Sequence, residues 1–210
     1  MSEALFFAIE YASGSAGCPP YLSGEFNQRS WEWAPYEQNP DSVTINNNYI
    51  FSISDKNISS VDFDFYGLDD YYVSSRFIDV CNKLGVRFRP VPMKIIFSDN
   101  RKTSKDYFIF LPAESSALLD TEKSEFKIDQ DLATGKPLIN GIFGDSYVYS
   151  WVKKFVPVVG VGLHLFRCKE TMDLFCSREF KEASESNDLL GLRFVPIDQN
   201  YRYDPWGEIQ

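Results

Sequence analysis

One histidine and four cysteines are present in the whole chain, and they bound its nucleophilic and metal chemistry. A Ser-His-Asp or Cys-His device needs an imidazole held between a nucleophile and an orienting group. His164 stands instead among Leu163, Leu165 and Phe166, in a strand-like run that points to a structural or surface role. Cys18, Cys81, Cys168 and Cys176 lie far apart with no Cys-x-x-Cys, which disfavours a structural zinc site. Cys81 and Cys176 sit inside apolar patterns, as small buried hydrophobes do. Carboxylate pairs remain: Asp62-x-Asp64 and Asp129-x-Asp131 could each offer two acids to a divalent ion, and glycoside hydrolysis requires only such a pair. No local pattern selects one. Residues 129–135 fail as a calcium loop, because Ala133 stands where an oxygen ligand belongs and Gly135 comes one place late. Gly160-Val161-Gly162 is too short to cradle a phosphate. No catalytic residue, cofactor or metal is expected.

What the side chains do offer is a surface for another protein. Asp62, Asp64, Tyr66, Asp69, Asp70, Tyr71 and Tyr72 mix carboxylates with tyrosines, which supply contact area at low entropic cost. Trp31, Trp33 and Tyr36, with Glu32 and Glu37, form a second cluster. The candidate partner-binding residues are therefore Asp62, Asp64, Tyr66, Asp69, Asp70, Tyr71, Trp31, Trp33 and Glu37. The plainer alternatives are a solvated strand edge for the first group and core packing for the tryptophans.

The elements that carry these groups are legible in a repeat. Tyr72-Val73-Ser74-Ser75-Arg76-Phe77 is followed by Leu84-Gly85-Val86-Arg87-Phe88-Arg89-Pro90-Val91. Much later, Phe175-Cys176-Ser177-Arg178-Glu179-Phe180 is followed by Leu190-Gly191-Leu192-Arg193-Phe194-Val195-Pro196-Ile197. The offset is 103 residues at the serine and 106 at the glycine, so the second copy carries three extra residues. Each copy reads as strand, helix, strand. Ser74 or Ser177 caps the helix, and apolar Phe77, Ile78, Cys81 and Leu84 recur on one face. Gly85 or Gly191 provides the left-handed stop, and an alternating run then ends at proline. Before the first copy, Val61-Asp62-Phe63-Asp64-Phe65 alternates strictly, which predicts both aspartates facing out. Residues 162–167 hold the matching place before the second. A strand is expected within 43–53 and another at 107–111, with an aromatic-rich irregular loop at 31–40 and a turn at 98–105.

The expected fold class is α+β: mixed or antiparallel sheets with a few helices, and two related strand-helix-strand units in an N-terminal and a C-terminal half. Residues 1–97 and 106–210 are the two halves, expected to pack as one compact domain. With 210 residues, 44% of them apolar, the chain can bury a sizeable core. The formal net charge is −9, and the halves at 1–105 and 106–210 contribute −3 and −6. Such acidity repels phosphate backbones and anionic lipid, so nucleic acid and membranes are poor partners and a basic protein is a better one. No apolar run approaches the roughly 20 residues that cross a bilayer. Leu5 to Ile9 and Ser15-Ala16-Gly17-Cys18 have a trace of a lipoprotein leader, but Glu3 and Glu10 stand where Lys or Arg is needed. A cytoplasmic protein is expected.

Leu118-Leu119-Asp120-Thr121-Glu122-Lys123-Ser124-Glu125-Phe126 resembles the central signature of immunity family eleven of bacterial polymorphic toxin systems. Leu165-Phe166-Arg167, the run from Phe175 to Ala183 and the run from Gly191 to Ile197 are similar to that family's C-terminal end. The resemblance covers about Tyr72 to Ile197 and leaves the first 70 or so residues unmatched. It implies a non-enzymatic, cytoplasmic protein that binds and neutralises a cognate toxin by stoichiometric association. The acidity makes a basic toxin the expected partner. Self-association is left open. The alternatives are a carboxylate-dependent hydrolase and a regulatory or scaffold module with no toxin.

Overall fold

Ser74 ends a strand and begins a helix. Its backbone is extended (φ −82°, ψ 167°), and its hydroxyl accepts a hydrogen bond from the Phe77 amide at 3.4 Å, satisfying one free donor of the first turn. The helix Ser75–Lys83 buries Phe77, Val80 and Cys81, with Ile78 and Leu84 half-buried beside them. It stops in a Schellman pair: the Val86 amide donates to the Cys81 carbonyl (3.0 Å) and the Gly85 amide to the Asn82 carbonyl (3.2 Å). Gly85 takes the left-handed φ of 66° that this requires.

The second copy repeats the design over Leu174–Ser177, Arg178–Ser186 and Leu192–Pro196. Its helix, however, does not end at Gly191. The Leu189 amide donates to the Ser184 carbonyl (3.1 Å) and the Asp188 amide to the Glu185 carbonyl (3.0 Å), with Asp188 at φ 48°. Asp188 thus holds the place of Gly85 at the same offset of 103 as the capping serine. The three extra residues, 189–191, lie beyond the helix. Gly191 is needed for a different reason: at φ 87°, a Cβ there would stand 2.3 Å from the Phe65 carbonyl oxygen.

The computed structural model describes residues 4–67 and 70–209. Its elements run β1 (Phe6–Tyr11), β2 (Gly24–Phe26), β3 (Tyr49–Ile53), β4 (Phe65–Gly67), β5 (Tyr71–Ser74), α1 (Ser75–Lys83), β6 (Phe88–Ile96) and β7 (Tyr107–Pro112). Then come β8 (Ser115–Ser116), β9 (Glu125–Ile128), β10 (Tyr149–Lys154), β11 (Leu165–Cys168), β12 (Leu174–Ser177), α2 (Arg178–Ser186) and β13 (Leu192–Pro196). One sheet has the order β2-β3-β6-β7-β5-β4, another β13-β1-β12-β11-β8, and β9 pairs with β10. Parallel pairs (β3 with β6, β8 with β11) occur among antiparallel ones, giving the mixed α+β class. Residues 31–40 are irregular apart from the start of a 3-10 turn at Pro40–Ser42.

The duplication reaches past the repeat itself. β7 lies between β5 and β6, and β1 lies between β12 and β13. The Ser75 amide donates to the Asp106 carbonyl just before β7 (3.2 Å), and the Arg178 amide donates to the Leu5 carbonyl just before β1 (3.0 Å). The N-terminal strand therefore does for the second copy what β7 does for the first.

Two compact units result. One comprises Glu10–Ala113 and Glu179–Arg193; the other comprises Glu114–Arg178 with the described residues up to Ile9 and from Phe194 onward. The first is cored by Tyr49, Phe63, Ile95, Tyr107 and Ile109, and the second by Leu118, Val152, Phe155, Phe166 and Phe175.

Candidate functional site

Val61, Phe63 and Phe65 are buried as their alternation predicts, but Asp64 is buried too, with no exposed surface. Residues 61–63 belong to no strand and Asp64 sits at a bend before β4, so strand alternation does not govern it. Its carboxylate accepts hydrogen bonds from Ser74 Oγ (2.6 Å), the Leu190 amide (2.8 Å), Lys105 Nζ (2.9 Å) and Arg76 Nη1 (3.2 Å). Two cations and two neutral donors compensate a charge that would otherwise be costly to bury. Arg76 also donates to the carbonyls of Asn187 and Asp188, at the negative end of α2. Asp64 therefore ties β5, α1 and the segment after α2 together.

The rest of that acidic stretch is divided. Asp62 is half-exposed and paired with Lys105 Nζ at 3.0 Å. Tyr66 is buried; its hydroxyl accepts from the Leu22 amide (3.2 Å) and its ring stacks on Tyr72, with centroids 5.8 Å apart. Asp70 and Tyr71 are half-buried, and Tyr71 stacks on Phe65. Asp69 lies outside the described residues.

In the tryptophan segment, Trp33 is in the core and Trp31 stacks on it, with centroids 5.0 Å apart and planes 11° apart. Glu32 holds the loop closed: its carboxylate accepts from the amides of Asn46 and Asn47 and from the Tyr49 hydroxyl, each at 3.0 Å. Burial pushes the Glu32 carboxyl up, and those hydrogen bonds outweigh it, so the group titrates below its ordinary value. Glu37 is half-buried and accepts from the Asn39 amide at 2.8 Å. Asp64, Tyr66 and Trp33 are thus enclosed among groups of the fold. Asp62, Asp70, Tyr71, Trp31 and Glu37 keep part of their surface.

The groups singled out for chemistry also have structural partners. His164 Nδ1 lies 2.9 Å from Ser177 Oγ, and its carbonyl accepts from the Ser177 amide (3.0 Å). Asp64 makes the same two contacts with Ser74, the equivalent serine, so the histidine occupies the aspartate's duplicated position. All four cysteines are free and buried. Burial pushes the Cys81 thiol up, and burial plus the Glu170 charge push the Cys168 thiol well up, which favours the protonated, less nucleophilic form of each. Glu170 is itself buried, accepting from the Leu118 and Leu119 amides at 3.1 Å and from Cys168 Sγ at 3.0 Å. The Asp120 carboxylate accepts from the Glu122 amide and from Lys123 Nζ. The start of segment 118–126 is therefore held by Glu170 and by the Asp120 turn. Asp131 Oδ1 accepts from the Thr134 amide and hydroxyl, both at 2.7 Å. Among the described residues, no group of three or more His, Cys, Asp or Glu side chains is arranged to hold a metal ion, and no helix is long and apolar enough to cross a membrane.

The exposed large apolar side chains lie mainly elsewhere. Leu5, Leu132, Ile139, Tyr147, Val159 and Trp206 belong to the unit built on Glu114–Arg178, and Tyr21 and Tyr36 to the other. Leu132 stands in a polar turn, and Ile139 follows Leu138 in a short apolar pair inside a turn-rich run. With no periodicity to mark them, sequence patterning passes over them.

A profile of the immunity protein family Imm11 matches residues 9–199. The match takes in nearly all of the N-terminal stretch that the resemblance left out, so the tryptophan segment is part of the family's fold. No curated protein matches the chain.

Proposed function

The chain belongs to the Imm11 family of immunity proteins, and from that premise we propose that it binds and neutralises a cognate bacterial toxin by stoichiometric association. It acts in the cytoplasm of the producing cell and does no chemistry of its own on the toxin. The observation that carries this is the family match over residues 9–199. The charge of −9 supports a basic toxin, because complementary potentials speed encounter and disfavour wrong partners. The placement of the acids supports association over hydrolysis: the buried carboxylates Asp64 and Glu170 have their oxygens occupied by donors of the fold.

Co-expression with the product of the neighbouring gene tests this. Cells making both proteins are expected to grow, and the two proteins to leave a size-exclusion column together. Growth arrest despite abundant folded chain, with separate elution, would remove the proposal. Charge reversal of Asp62 and Asp70 to Lys asks whether the acidic strip takes part. Unchanged association places the contact elsewhere.

A further inference from the structure

Between β9 and β10 the chain makes a 20-residue excursion, residues 129–148. Its first turn carries Leu132. Asp131 fixes it, accepting from Thr134 through Oδ1 and from the Gly135 amide through its carbonyl (2.8 Å), with Gly135 at φ 67°. Its second turn is fixed by buried Asn140, whose Oδ1 accepts from the amides of Ile142 (2.9 Å) and Phe143 (3.1 Å) while its own amide donates to the Ser146 carbonyl (2.9 Å). Phe143 is buried beneath, with Lys169 over its ring.

On this wired frame, large apolar groups face solvent. Leu132 is 104% exposed, Ile139 63% and Tyr147 44%. Ile139 and Tyr147 are opposed in an antiparallel bridge, which directs both side chains to one face. A loop held by its own hydrogen bonds has already met the ordering cost that a mobile loop meets on binding. Exposed apolar groups fixed on such a frame are available to a partner without further ordering. The charge of the segment selects the partner: Asp129 and Asp131 against Lys136 leave it acidic, while Asp145 is paired with Lys169 Nζ at 2.6 Å.

We propose that residues 129–148 are the docking surface for a basic face of another protein, with Leu132, Ile139 and Tyr147 as anchors and Asp129 and Asp131 as the rim. This rests on the toxin-neutralising reading and names its surface. Anchors at the centre set how long the complex lasts, and rim charges set how fast it forms.

The test is a titration of the purified chain against the purified product of the neighbouring gene, for the wild type and for Leu132→Asp/Ile139→Asp. Both sites are exposed, so the variant should keep the wild-type unfolding midpoint. The expected result is a loss of affinity of roughly 100-fold or more, with wild-type binding that weakens as sodium chloride is raised. Wild-type binding matched within twofold by the variant overturns the surface and leaves the toxin reading intact. Wild-type binding that is indifferent to salt overturns the basic partner. Absence of wild-type binding overturns the toxin reading and this surface with it. Self-association of the chain alone, abolished by Leu132→Asp, assigns the patch to a second copy and overturns the proposal.

Discussion

Phe77 and Phe180 hold the same position in the two copies of the strand-helix-strand unit, and their rings meet edge to face with centroids 5.6 Å apart, both fully buried. The apolar face of each helix is thus partly covered by the equivalent residue of the other copy. Either Phe→Ala substitution should cost about 3 to 5 kcal/mol, the range for emptying a packed aromatic site. Because the residues share one contact, the double variant should lose less than the sum of the singles. Urea unfolding of all four proteins checks this, and strict additivity would deny the contact.

Asp64 is the second point on which the unit built on Glu10–Ala113 depends. Asp64→Ala leaves Lys105 and Arg76 without their buried counter-charge and should destabilise by about 3 to 5 kcal/mol. Asp62→Ala removes a half-exposed partner of the same lysine and should cost about 1 kcal/mol or less. Comparable losses in the two variants, read by urea midpoints, would contradict the arrangement.

Two glycines of the repeat separate backbone strain from crowding. Gly85→Ala forces a left-handed alanine into open space and should cost about 1 to 2 kcal/mol. Gly191→Ala adds a clash with the Phe65 carbonyl and should cost more than about 3 kcal/mol or prevent folding. Equal effects on thermal unfolding would mean that Gly191 is not closely approached.

The strand-helix-strand units are legible in the sequence because each boundary has local chemistry: a serine at the helix start, apolar spacing along it, and an alternating run ending in proline. The end of α2 was not legible, since an aspartate takes the left-handed position and the nearby glycine answers to a distant carbonyl. Asp64 misleads for a related reason. Alternation shows which residues would face out of a strand, but says nothing about a bend where Ser74, Lys105, Arg76 and Leu190 converge from far along the chain. The family-like segment 118–126 was visible as a pattern, while its role in seating Leu118 and Leu119 on Glu170 appears only in three dimensions.

Alkaline stability should follow the buried phenols and thiols. Burial raises Tyr11 and Tyr107, and burial with the Glu170 charge raises Tyr149 to about 12 from the ordinary 10. A folded value above the unfolded one contributes stability that is fully present below pH 10 and is lost as pH rises through about 12. The urea midpoint should therefore hold between pH 7 and 8, begin to fall near pH 9 as the unfolded thiols ionise, and fall further above pH 10, with tyrosinate absorbance from these residues rising only on unfolding. The four thiols should resist a thiol reagent at neutral pH until denaturant is added. Rapid native labelling of Cys81 or Cys168 would contradict their burial.

The central claim is that this chain works by holding another protein, and titrating toxin activity tests it most directly. With the neighbouring gene's product at fixed concentration, added chain should abolish that product's activity at a one-to-one ratio, with an affinity on the order of nanomolar or tighter. Undiminished activity at tenfold excess of folded chain, with no complex detected, would contradict the account.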